Sequence, residues 1–168
     1  MTISRQAQEA TAWLLSLETP SVVVSGDHDY CSKSSHVAVD PYAEAAWLRK
    51  LGGRGKILAV DGESVLFPAN GPQTLITALG WAQAPVWPSE TEVLVAHAPP
   101  SGLFVAAEMR GGRDMGDIAL RRVLRDATQL PRLILSGHVH APKDIFCYRS
   151  ECRTHKGASR GQDIFEQE

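Results

Sequence analysis

The chain has no run approaching the roughly 18 consecutive apolar residues that a membrane-spanning helix requires, so no transmembrane helix is expected. Its opening stretch, MTISRQAQEATAWLLSL, carries polar residues throughout and lacks the continuous apolar core of a secretory signal. A cytoplasmic location and no membrane partner are the expectation. Charge of one sign is also missing: 17 Lys and Arg stand against 19 Asp and Glu, a net charge of −2, so no basic footprint indicates nucleic acid. Cysteine is scarce. Cys31, Cys147 and Cys152 are odd in number and lack zinc-ribbon spacing, and in a cytosolic setting they read as reduced structural thiols. Cys147 and Cys152 could still meet across a short polar turn. There is no internal repeat and no linker long enough to split the 168 residues, so one domain over 1–149 with a polar tail over 150–168 is expected.

What is present is a repeated pattern. Three apolar runs each end on polar residues that bind metals well. The first is Ser21-Val22-Val23-Val24-Ser25-Gly26-Asp27-His28-Asp29, the second Glu92-Val93-Leu94-Val95-Ala96-His97-Ala98-Pro99-Pro100, and the third Leu133-Ile134-Leu135-Ser136-Gly137-His138-Val139-His140. Short aliphatic and β-branched runs bounded by Gly and Pro read as buried strands. Ligands of open α/β sheets gather just beyond the carboxyl ends of strands. Four of the six histidines and two aspartates are thereby predicted to converge on one metal site.

The remaining elements are set by local signals. Ala7, Ala10, Leu14 and Leu17 form the apolar face of a helix over 4–18, which Pro20 ends. Asp40 as N-cap, Pro41 in the first turn and Gly52-Gly53 as the stop predict a helix over 41–51. The segments Lys56–Val60, Ser64–Phe67 and Thr74–Leu79 are separated by Asp61-Gly62 and Asn70-Gly71, two turn signals, and read as an antiparallel meander. A glycine-rich loop around Gly111–Gly116 leads to a helix starting near Asp117, with Leu120, Val123, Leu124 and Ala127 on its core side. A further strand is expected over 144–148.

Each cluster has its own chemistry. In an extended segment, residues i and i+2 point to one side, so His138 and His140 would face one cavity with Val139 packed behind them. Imidazole is a ligand for zinc, iron and manganese. His97 ends a strand, and Pro99-Pro100 stiffen the loop beyond it. Gly26 permits a sharp backbone turn that could bring Asp27, His28 and Asp29 to the cavity mouth. A carboxylate beside His28 would raise the pKa of its imidazolium and favour proton donation. The loop Ser101–Gly116 borders the cavity, as a mobile or tightly turned rim. Arg113 within it could offer a phosphate two parallel donors, or simply be solvated.

These residues resemble the calcineurin-like metallophosphoesterase family. Gly26-Asp27-His28-Asp29 is similar to its Gly-Asn-His-Asp/Glu motif, His97 to its single histidine after a hydrophobic strand, and Gly137-His138-Val139-His140 to its closing Gly-His-x-His motif. The order agrees, and the resemblance spans residues 5–142. It implies an α/β fold, a β-sandwich of mixed sheets flanked by helices (αββα), here lacking the first strand or strands. It also implies two divalent ions, Mn, Fe or Zn, with Asp27, His97 and His138 on one and His140 on the other. His28 would contact the phosphate and protonate the leaving group, oriented by Asp29. Two metals about 3.5–4 Å apart would clamp a phosphate mono- or diester and activate a hydroxide for in-line attack.

Two departures accompany the resemblance. Asp27 stands where the family has Asn, and the opening motifs Asp-x-His and Gly-Asp-x-x-Asp are absent. The expectation is an N-terminally incomplete member whose missing ligands come from self-association or a partner chain. The alternative is an inactive or truncated remnant that acts as a metal-binding or interaction module. A β-lactamase-like metallohydrolase would require a His-x-His-x-Asp-His cluster, which the sequence does not contain.

Overall fold

The computed structural model describes residues 5–30, 46–81, 83–108 and 112–143. The first helix, α1 (Arg5–Leu15), forms where expected, with Ala7 and Leu14 buried along its predicted face. Strand β1 (Ser21–Val22) is shorter than the run it begins, and a 3₁₀ turn comes next over Asp27–Tyr30. Helix α2 (Ala46–Arg49) is the described part of the second predicted helix; Asp40 and Pro41 lie outside the described residues. Gly53 closes the turn after it with a φ of 70°, donating its N–H to the Ile57 carbonyl at 3.0 Å.

Strands β2 (Ile57–Ala59), β3 (Ser64–Phe67), β4 (Thr74–Leu79), β5 (Val93–Ala96) and β6 (Leu133–Ser136) occupy the predicted apolar runs. The expected meander does not form as a whole. β3 and β4 make an antiparallel hairpin, but β2 leaves them and pairs in parallel with β1. The reason is reach: Val23 donates to Ala59 and Ser21 to Lys56, so the apolar run after α1 takes the edge that β3 would have used. The second sheet has the order β3-β4-β5-β6, with β4, β5 and β6 parallel. The fold is therefore α/β with mixed sheets and helices.

Each sheet has its own helical cover. Leu14 of α1 and Leu48 and Leu51 at α2 pack with Ile57 and Val60 of the parallel pair. Helix α3 (Ile118–Asp126) lays Leu120 and Leu124 on Leu79, Leu94 and Ala96. The predicted stripe of α3 is shifted: Val123 is exposed, while Arg121 is buried instead. Among the described residues no helix is long and apolar enough to cross a membrane. The predicted strand over 144–148, the tail over 150–168 and all three cysteines lie outside the described residues.

Parallel pairing is what positions the site. It brings the carboxyl ends of β4, β5 and β6 to one edge of the larger sheet and those of β1 and β2 to one end of the smaller. Trp81 donates its N–H to the Ser25 carbonyl at 3.0 Å, which joins the two sets of ends, and Ser25 donates its N–H to Asp61 Oδ1 at 2.7 Å, which ties the ends of β1 and β2 together.

Candidate metal centre

Three side chains converge at the joined strand ends. Asp27 comes from the turn after β1, His97 from the residue after β5, and His138 from two residues after β6. His97 Nε2 lies 3.1 Å from Asp27 Oδ1 and 3.1 Å from His138 Nδ1, and His138 Nδ1 lies 3.6 Å from the same carboxylate oxygen. Ligand atoms about 2.1 Å from one ion stand about 3.0 Å apart along an octahedral edge and about 3.4 Å along a tetrahedral one. The three separations fit a single ion, and the three residues form a group able to hold one.

The hydrogen bonding supports the same fit. His97 Nε2 has three polar neighbours, since the Asp27 N–H also points at it from 3.4 Å. One ring nitrogen carries either a proton or a lone pair, so it can satisfy only part of that set. A cation between the three atoms uses a lone pair of each. Burial, then the neighbouring His138, holds the His97 imidazole below its ordinary value of 6.5, with Asp27 opposing. The lowered value keeps the ring neutral at neutral pH, the form that ligates a metal. Side-chain exposures of 11% for His138, 18% for His97 and 32% for Asp27 leave one side open to a further ligand.

Local backbone features explain the convergence. Gly26 is required for space rather than for a special φ: a Cβ there would sit 2.7 Å from His97 Cε1. Gly137 donates its N–H to the His97 carbonyl at 3.0 Å, which ties the ends of β5 and β6 together. His138 has a φ of 66°, and Val139 donates to the Gly137 carbonyl at 2.8 Å across it. A three-residue hydrogen bond around a left-handed central residue is the rare, strained γ-turn. Strain at a non-glycine residue persists where the surroundings over-determine it, as at ligand sites.

That turn corrects the sequence reading of the third cluster. His138 and His140 do not alternate along an extended strand, because the chain reverses at His138. His140 is exposed and stands outside the group of three. Asp29 is exposed as well; its Oδ2 accepts the Gly26 N–H at 2.7 Å, so it caps its own turn. The backbone of His28 belongs to the 3₁₀ turn, and its side chain lies outside the described residues.

No family model, curated protein or solved structure matches the chain. The site therefore stands on its own geometry.

The sequence reading missed two residues. Asp61, read as a turn residue, is buried and accepts both the N–H and the hydroxyl of Ser25. Burial pushes its carboxyl above the usual value, with those hydrogen bonds opposing. Gly80 makes room for it, since a Cβ there would collide with the carboxylate. Trp81, the second residue beyond β4, meets both histidine rings. The available signal was positional: Lys56–Val60 and Thr74–Leu79 are also apolar runs, and Asp61 and Gly80-Trp81 come directly after them.

The loop after His97 is tightly turned. Asp114 accepts hydrogen bonds from the Ser101 hydroxyl and the Gly102 N–H, both at 2.7 Å, and from the Gly116 N–H at 2.8 Å. Pro100 and Asp117 pair beside it, and a Cβ at Gly116 would collide with the Ser101 backbone. Arg113 is exposed, and residues 109–111 lie outside the described residues.

Proposed function

We propose that the protein is a metal-dependent phosphoesterase of the calcineurin-like, αββα class, acting on a phosphate mono- or diester. The observation that carries this reading is the convergence of Asp27, His97 and His138, one from each of the three motif-like segments and in the motif order. Two imidazoles and one carboxylate suit Mn, Fe or Zn. A divalent ion bound there supplies Lewis-acid polarisation of a phosphoryl oxygen and lowers the pKa of a coordinated water. The chain's own residues do the rest. His97 and His138 offer imidazole nitrogens to the ion, and the carboxylate of Asp27 offsets its charge. His28 is assigned the leaving-group proton, and Asp29, fixed on Gly26, stands two residues after the ligand Asp27. His140 would serve a second ion, completed by ligands from another chain.

The test is hydrolysis of bis(p-nitrophenyl) phosphate by the purified chain with added manganese. Turnover that requires the ion and vanishes in His138→Ala is expected. Equal rates in His138→Ala and the parent would sink the assignment.

A second reading has its own support. His140 stands apart from the cluster, and the described residues bring together ligands for one ion. A one-ion binding or interaction module would bind one manganese per chain with no turnover, whereas the two-ion reading expects two.

A further inference from the structure

We propose that Trp81 is the positioning residue of the metal centre: its indole fixes the His97 and His138 rings so that their nitrogens meet beside Asp27. The inference rests on the metal-centre reading above and adds a residue that none of the three motif-like segments contains.

A ligating imidazole must be fixed in rotation about its last side-chain bond. The usual device is a hydrogen bond from the second ring nitrogen to a carboxylate or carbonyl. Among the described residues, no hydrogen bond reaches His97 Nδ1 or His138 Nε2. Ring packing takes over that task. Trp81 stands 5.4 Å from His97 at 87°, an edge-to-face contact, and 5.4 Å from His138 at 35°. The two imidazoles are 4.8 Å apart at 58°. Both ring distances fall within the range favoured by aromatic pairs. One indole thus touches both imidazole ligands and no other aromatic ring among the described residues does so.

The backbone that carries the indole is itself anchored. The Trp81 backbone N–H donates to the Ser25 carbonyl, and Ser25 is fully buried and held from its other side by Asp61. The same Ser25 leads directly into Gly26 and Asp27. A single backbone junction therefore sets the carboxylate ligand and the wall behind the two imidazoles. Gly80, which Asp61 requires to be free of a side chain, immediately precedes Trp81.

The experiment is a cobalt(II) titration of the full chain, read by visible absorption and by tryptophan fluorescence, on the parent, Trp81→Phe and Trp81→Leu. Cobalt quenches a nearby indole. The other tryptophans lie elsewhere: Trp13 is exposed on α1, Trp47 packs against the α1–α2 core and Trp87 against the core under α3. The parent is expected to bind cobalt with quenching. Trp81→Phe keeps an aromatic ring and should retain most of the affinity while losing most of the quenching. Trp81→Leu should bind about ten- to a hundredfold more weakly, the usual loss for an outer residue that orients ligands, with a changed visible spectrum. Parent-like affinity and spectrum in Trp81→Leu overturn the proposal and leave the metal centre standing. If the parent binds no cobalt, the metal centre fails, and this inference with it. Should the leucine variant not fold, the phenylalanine variant decides: undiminished quenching overturns the proposal, and lost quenching with retained binding supports it.

Discussion

At the scale of single residues, the centre depends on two unusual backbone positions. His138 occupies a left-handed conformation that costs a non-glycine residue energy, yet its imidazole is the one the cluster needs. Gly26 is the tighter constraint. Its Cα faces the His97 ring so closely that a methyl group would meet Cε1 at 2.7 Å and Nδ1 at 3.1 Å. Gly26→Ala should therefore push the imidazole away from Asp27 and weaken manganese binding by about tenfold or more, as misplaced ligands do. Isothermal calorimetry with circular dichroism checks this: unchanged affinity in a folded variant would show that the ring has room to spare. The sequence suggested Gly26 for its freedom to turn, but the structure requires it for its size. No local signal separates these reasons, because the clash is with a residue 71 positions away.

At the scale of elements, stability and ligand placement separate cleanly in α3. Asp117 is its N-cap: the carboxylate accepts the Leu120 N–H at 3.0 Å, and the extended φ and ψ of −86° and 112° suit that role. Leu120 and Leu124 then bury one face against the larger sheet. Asp117→Ala should cost about 1 kcal/mol and lower Tm by roughly 2–4 °C, with manganese affinity unchanged. Differential scanning fluorimetry beside a metal titration reads both; a loss of affinity would mean that the helix start shapes the centre. The helix start was legible near Asp117, and the apolar period gave Leu120 and Leu124. Val123 was misplaced because an apolar residue at the border of the stripe can face either way. Here Arg121 takes the buried side.

At the scale of the whole molecule, the Ser25 junction joins two sheets that have separate cores, and it places ionisable groups in partly dry surroundings. His97 is held below 6.5 by burial, so its contribution to stability is complete above pH 6.5 and is lost as pH falls through the lowered value. Asp61 is raised above 3.8, so its contribution is complete below pH 3.8 and is lost as pH rises through the raised value. With metal removed by a chelator, the His97 contribution should lower Tm as pH drops below 6.5 while Asp61 works in the opposite direction, so His97→Gln should show a smaller fall, or a larger rise, than the parent over that window. A Tm profile that is identical in the two proteins would remove His97 as a source of the effect. Bound metal adds to the slope, because protons compete with it for the same imidazole.

The sequence alone determined the elements and the ligand types. Apolar runs, glycine stops and an acidic cap are local signals, and they located α1, the six strands and α3. The three polar run-ends pointed to four histidines and two aspartates, because strands of an open α/β sheet deliver their carboxyl ends to one place, and of these the structure brings Asp27, His97 and His138 together. Tertiary structure decided everything that depends on pairing and contact. It chose β1 rather than β3 as the partner of β2, reversed the chain at His138 so that His140 stands apart, and set Asp61 and Trp81 behind the ligands. Apart from the local turn at His138, those choices rest on separations of tens of residues, across which a local pattern specifies a residue's chemistry but not its neighbour.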